Sequence, residues 1–147
     1  MNTYETFHEI LVNLFQDIMT IEEKAIITEE FQDISNNDMH IIEAVGMGAP
    51  QNMTSVAKKL SITVGTLTIA INNLVKKGYV ARKRGEKDRR VVFLFLTEKG
   101  EKAYRHHEKF HDDMIRATIA GLDEEETRVL VKALSNLKDF FYHYPGR

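Results

Sequence analysis

The chain has 147 residues, a formal net charge of −2 and no cysteine. That length suits one domain with a real hydrophobic core, and the missing thiols exclude a disulfide framework, a Cys-ligated zinc and a thiol redox switch. Glu5, His8, Glu9 and Asp17 interrupt the N-terminus as a signal peptide, and no stretch approaches the roughly 18 unbroken apolar residues of a membrane helix, so the expectation is a soluble, cytoplasmic protein.

Over residues 4–31, Phe7, Ile10, Leu11, Leu14, Phe15, Ile18 and Met19 recur at three- and four-residue steps, which predicts a long amphipathic first helix. "ISNND" is a stop and restart, with Ser35 as N-cap and Asp38 three residues on. A second helix runs through Met39, Ile42 and Val45 until "GMGAP" breaks it. "MTSVAKKL" (53–60) reads as a short helix capped by Thr54, and "SIT" as a brief turn. Thr63 then caps "VGTLTIAINNLVKKG". In that helix Val64, Leu67, Ile71, Leu74 and Val75 gather on one face. At about 100° per residue, Gly65, Ile69, Asn72 and Lys76 point the other way, flanked by Thr66, Thr68 and Asn73. Gly78 ends the helix.

"YVARKR", a turn "GEKD" and "RRVVFLFL" predict a β-hairpin. Thr97 caps another long helix, 98–120, which Gly121 terminates. Asp123 caps the last helix, Glu126 closes a capping box, and Val129, Leu130, Leu134, Leu137, Phe140 and Phe141 supply its apolar face. No internal repeat or low-complexity segment interrupts this order.

Charge is unevenly placed. "RKRGEKDRR" (82–90) holds six Lys or Arg in nine residues, and Lys76–Arg90 carries a net +6 on a chain of net −2. A basic patch on an acidic body suggests a positioned polyanion site, whereas charge runs in general are solvated faces. Two helices joined by a short turn and followed by a basic hairpin make a winged helix-turn-helix. The fold class expected is mainly α with a small β-hairpin wing. Residues 35–97 would form the DNA-binding lobe of a single 1–147 domain, with 1–34 and 98–147 as dimerisation helices.

The second helix of the pair suits a major groove. Thr63, Gly65, Thr66, Thr68, Ile69, Asn72, Asn73 and Lys76 are its candidate contact residues. Asn72 and Asn73 can pair with adenine N6/N7, and Ile69 and the threonine methyls can touch thymine methyls. Arg82, Arg84, Lys87, Arg89 and Arg90 would reach flanking phosphates or the minor groove. Phosphate repels Asp88, which is expected to fold back onto a wing arginine and hold the tip in shape.

The "KKGYVAR…DRR…LTEKG" skeleton, with its Asp88-x-Arg90 pair, resembles the wing signature of the MarR family of transcription regulators. The resemblance runs over essentially the whole chain. It implies a homodimer made by the terminal helices, a palindromic double-stranded DNA operator, and a ligand that changes DNA affinity. The recognition helix departs from many members, which carry a basic residue where Ile69 and Asn73 stand here, so no operator sequence carries over. Within the family, "DISNNDMHIIEAVG" (33–46), "TVGTLTIAINNLVKKGYV" (63–80), "DRRVVFLFLTEKG" (88–100) and "HHEKFH" (106–111) are similar to the FabT-type repressors of fatty-acid biosynthesis. That subgroup implies a long-chain acyl group on acyl carrier protein as co-repressor. Phe15, Ile18, Met19, Ile42, Val45, Phe110 and Met114 are candidates for its apolar tunnel; the ordinary alternative is that they are core.

Histidine carries the rival signal. His107 and His111 stand four apart on one helix face. With His40 and Glu22 or Glu23 they resemble the ligand set of zinc-sensing MarR regulators, and His/carboxylate ligation is sound zinc chemistry. The ordinary alternative has His106 and His107 on the surface and His40 packed at a helix junction. No nucleophile elbow, Walker loop, dinucleotide fingerprint or His-Glu-x-x-His motif is present. The expectation is therefore a non-enzymatic repressor without a cofactor.

Overall fold

A computed structural model of the protein describes residues 1–26 and 30–146. The chain runs α1 (Thr3–Ile26), α2 (Asn36–Val45), β1 (Gln51–Asn52), α3 (Met53–Leu60), α4 (Val64–Lys76), β2 (Val80–Arg84), β3 (Val92–Leu96), α5 (Glu98–Ile119) and α6 (Glu124–Tyr142). It divides into two compact units, residues 1–110 and 111–147, with the boundary inside α5.

The expected first helix is shorter than its periodicity. Its described part runs to Ile26, residues 27–29 lie outside the described residues, and Glu30–Asp33 is bend and turn. α2 starts where its capping box predicts: Ser35 Oγ accepts from Asp38 N at 3.1 Å, and Asp38 Oδ2 accepts from Ser35 N at 3.1 Å. At its other end the Gln51 amide donates to the carbonyls of Ala44 and Val45 at 3.0 and 2.8 Å, satisfying two orphan acceptors. α3 begins two residues earlier than a Thr54 cap would have it. Asn52, in extended conformation, is the N-cap and accepts from Ser55 N at 2.8 Å. A threonine at 54 is already inside the helix.

The sheet is three-stranded and antiparallel, in the order β1-β3-β2. The two-residue β1 pairs Gln51 with Leu94 and Asn52 with Phe93, and was not legible as a strand. The hairpin pairs Val80 with Leu96 and Arg84 with Val92. Arg89–Val91 lie in the connection rather than in the second strand, so the loop is longer than "GEKD".

The core of unit 1 belongs to the helix-turn-helix and the sheet. Ile42, Val56, Leu67, Ile71, Leu74, Tyr79 and Leu94 are fully buried, with Met39, Ile41 and Val45 beside them. α1 contributes almost nothing to it: Phe7, Ile10, Leu14, Phe15 and Met19 are all exposed. Unit 2 behaves likewise. α6 has its predicted Asp123–Glu126 capping box, yet none of its residues is buried, and Val129, Val131, Leu134, Phe140 and Phe141 face solvent. Two helices with long uncovered apolar faces are the surfaces a second copy would cover.

Tyr79 joins the lobe's parts. Gly78 at φ +87° closes α4 in a Schellman motif, Gly78 N donating to Val75 O at 3.0 Å and Tyr79 N to Leu74 O at 2.9 Å. Tyr79 then receives the N-terminus of α5: Thr97 N donates to its carbonyl at 3.0 Å, and a Cβ on Gly100 would lie 2.0 Å from the same oxygen. Its hydroxyl donates to Asp33 Oδ1 at 2.5 Å, in the segment before α2. Lys99 Nζ sits 4.4 Å over the ring and 3.7 Å from Asp33.

Burial, and then the Asp33 bond, raise the Tyr79 pKa, while the same bond lowers that of Asp33. The folded state thus holds the tyrosine proton more tightly than the unfolded chain does. Its contribution is fully present below the unfolded tyrosine value of about 10 and is lost as pH rises above it. The lowered Asp33 contributes above the unfolded carboxylate value and loses that contribution as pH falls. Tyr79→Phe keeps the ring and removes the bond. It should cost about 1 kcal/mol near neutrality and flatten the alkaline loss, as measured by urea unfolding at a series of pH values.

Candidate nucleic-acid interface

α3 and α4 are joined by a three-residue turn, Ser61–Thr63, in which Ser61 takes φ +55°. Thr63 caps α4, its Oγ1 accepting from Thr66 N at 3.1 Å and donating to Thr66 Oγ1 at 2.9 Å. Leu67, Ile71 and Leu74 anchor the helix in the core. That leaves Gly65, Thr66, Ile69, Asn72, Asn73 and Lys76 exposed, on the face their spacing predicts. Ile69 is the most exposed apolar residue of the helix, at 74%. Thr68 is half-buried and its hydroxyl donates to Val64 O at 2.8 Å, which commits the oxygen to its own helix. Val64, expected to face inward, is 43% exposed, because the first turn of α4 stands clear of the core.

The wing is a closed loop. Gly85 N donates to Val91 O at 2.8 Å, and a Cβ on Gly85 would lie 2.6 Å from Asp88 O, so only glycine fits this turn. Arg84 Nη1 donates to Arg89 O at 2.9 Å across the loop. Asp88 folds back as expected: its carboxylate takes Arg90 Nε and Nη2, both at 3.1 Å, and the Arg90 backbone N–H at 3.0 Å. These bonds hold the Asp88 carboxyl below the usual carboxylate range. Arg82, Lys83, Arg84, Lys87, Arg89 and Arg90 are all exposed. Their charge therefore projects from a loop whose backbone is internally braced.

Recognition helix and wing meet. Arg82 Nη1 donates to Asn72 Oδ1 at 2.5 Å. A cleft of about 470 Å³ runs between them, lined by Thr54, Val64, Thr68, Arg82 and Arg90 among others. Beside it, the exposed amides, hydroxyls and isoleucine of α4 and the guanidinium groups of the wing match a groove edge flanked by phosphates. A second cavity, about 730 Å³, opens against the outer face of the wing at Pro50, Val91, Phe93 and Phe95. None of the expected acyl-tunnel residues borders it.

Those tunnel residues are scattered in character. Ile42 and Val45 are spent in the lobe core, Phe15 and Met19 are exposed, and Ile18 and Phe110 are half-buried. Met114, in unit 2, is also half-buried. The histidines are the larger surprise. His107 is 2% exposed rather than superficial, with Nε2 3.1 Å from Glu22 and 2.6 Å from Glu43. His106 is exposed at the surface, its Nε2 2.8 Å from Ala25 O. His40 is exposed too, not packed at a junction, and His111 follows His107 by one turn of α5. Glu43 could have been found from its position one turn after His40 on the α2 face that carries the buried Met39 and Ile42.

A helix-turn-helix with a polar second helix beside a braced basic wing defines a winged-helix transcription regulator. Residues 16–106 match the family described as transcriptional regulator SarA/Rot. FabT of Streptococcus pneumoniae, solved in complex with DNA, is 41% identical and superposes with a TM-score of 0.83, covering 95% of this chain and 97% of that one. A MarR transcriptional regulator from Methanosarcina mazei superposes with a TM-score of 0.66 at 27% identity, covering 92% of this chain and 95% of its own. The regulator BilQ of Clostridium symbiosum is 28% identical over 127 residues, 84% of this chain and 85% of its own. The chain belongs to the MarR-type winged-helix transcriptional regulators, and within them it is FabT-like. Regulators of this type are dimers, and the uncovered faces of α1 and α6 suit that state.

Thr63→Ala removes the recognition-helix cap and should lower stability by about 1 kcal/mol. The check is a fall in the urea midpoint at unchanged slope.

Proposed function

We propose that this protein is a homodimeric repressor of fatty-acid biosynthesis genes, with a long-chain acyl group on acyl carrier protein as co-repressor. The observation that carries the reading is the 41% identity to pneumococcal FabT along nearly the whole chain, joined to the helix–wing cleft. Each α4 enters a major groove of a palindromic operator, roughly one helical turn from its twin. Gly65, Thr66, Ile69, Asn72 and Asn73 read bases, with Thr63, Thr68 and Lys76 at the margins. Arg84, Lys87, Arg89 and Arg90 take phosphates, and Asp88 shapes the tip. The acyl chain packs among Phe15, Ile18, Met19 and Phe110, beside the core residues Ile42 and Val45. It acts by preferring the DNA-competent spacing of the two lobes by a few kcal/mol.

The test is fluorescence anisotropy on fatty-acid biosynthesis promoter DNA, in EDTA at fixed salt. Acyl-carrier protein loaded with a long chain should tighten binding, and the unloaded carrier should not. Equal binding with both would remove the co-repressor while keeping the repressor. In the same assay Arg90→Ala should weaken every duplex alike and reduce the salt slope by about one. An unchanged slope would take Arg90 off the phosphate backbone.

One observation favours a second reading. Two carboxylates converge on the Nε2 of buried His107, and that nitrogen can give a proton to only one of them. His with Glu is a donor set zinc accepts. Glu22, Glu43 and His107 would then hold the ion, without the exposed His40. Tightening by zinc alone, abolished in His107→Ala, would select this reading over the acyl one.

A further inference from the structure

We propose that Arg82 is a positioning residue for base readout: it fixes the Asn72 amide so that the recognition helix offers guanine a pair of N–H donors. This rests on the reading of α4 as the groove helix. Asn72 lies on the exposed face of α4, on the same side as Gly65, Ile69 and Lys76. Arg82 stands in β2, at the root of the wing, and its Nη1 reaches Asn72 Oδ1. A guanidinium carries donors and no acceptor, so only the amide oxygen can face it. The orientation of the amide therefore follows from chemistry: Oδ1 turns to the wing, and Nδ2 with its two hydrogens turns away.

That orientation decides which base edge suits it. Adenine presents a donor at N6 and an acceptor at N7, and a bidentate asparagine must bring both its oxygen and its nitrogen to that edge. Here the oxygen is engaged by Arg82. What remains toward the groove is Nδ2, with its two N–H donors. Guanine, with acceptors at both N7 and O6, is the base whose major-groove edge takes two donors. The pairing of Asn72 with adenine expected from the amide side chain alone is thereby redirected. The contact also ties the wing root to the recognition helix, so charge on the wing and readout on the helix share one residue.

The neighbouring side chains do not supply this orientation. The hydroxyls of Thr63, Thr66 and Thr68 are engaged within α4 and its cap. Of the acids of the wing loop, Asp88 is engaged by Arg90 and Glu86 lies 3.9 Å from Lys83. A residue that only gripped phosphate would add affinity without preference. A residue that sets Asn72 changes preference even when its charge is kept.

The experiment selects duplexes from a randomised pool with the full-length protein, then measures anisotropy on the selected duplex and on all its single-base-pair substitutions, at several salt concentrations. Arg82→Lys, Arg82→Ala, Asn72→Ala and the Arg82→Lys/Asn72→Ala double variant are compared, with circular dichroism to verify folding. The expected result is that the wild type prefers guanine at one position in each half-site and that Asn72→Ala loses about tenfold discrimination there. Arg82→Lys should lose discrimination at that same position with its salt slope intact, and the double variant should lose no more than either single. Unchanged preference at every position in Arg82→Lys, with a uniform loss and a lower salt slope in Arg82→Ala, would make Arg82 a phosphate contact and overturn the proposal. So would adenine at the position Asn72→Ala flattens. If the wild type selects no sequence at all, the groove-helix reading falls first and this inference with it.

Discussion

The lobe depends on Tyr79. Its ring fills the centre of unit 1, its backbone terminates the recognition helix, and its carbonyl receives the N-terminus of α5. Its hydroxyl reaches back to Asp33 before α2. Gly100 stands without a side chain because that carbonyl occupies the space one would need. Three segments far apart in the chain are therefore referenced to one residue. Any shift in α5 or in the segment before α2 is felt at the C-terminal end of α4, because close-packed interiors transmit displacement rather than absorb it.

Charge is organised on the same economy. An acidic protein approaching DNA needs its positive potential where contact is made, and nowhere else. The wing supplies this on a loop that closes itself through Gly85, Arg84 and the Asp88–Arg90 pair. Exposed ion pairs of this kind contribute little to stability. Their effect is geometric, since the pair restricts where the remaining guanidinium groups can point. Arg82 belongs to both systems, at the foot of the wing and against Asn72.

Burial is lopsided in a way that bears on assembly. The helix-turn-helix and its sheet bury their apolar residues completely, whereas α1 and α6 leave Phe7, Ile10, Phe15, Val129, Leu134 and Phe140 uncovered. Surfaces of that kind are costly in water at about 25 cal/mol per Å². A dimeric regulator removes that cost, and it places two recognition helices under one symmetry axis, which a palindromic operator requires.

The local chemistry of the chain was legible directly. Ser35 with Asp38, Thr63, Gly78 and Asp123 with Glu126 cap helices by contacts within a few residues, so spacing alone foretold them. The alternation of the hairpin and the outward face of α4 followed from periodicity for the same reason. Asp88 folding onto Arg90 needed only charge and a separation of two residues. The tertiary structure decided whatever joins distant segments. Asn52 displaced Thr54 as a cap because its pairing with β3 holds it extended. His107 is buried between Glu22 and Glu43, which lie on two other helices. Asn72 faces Arg82 ten residues on, across the turn from helix to strand. Periodicity reports which side of an element is apolar; it carries no term for which element lies opposite, and those contacts exist only once the chain has packed.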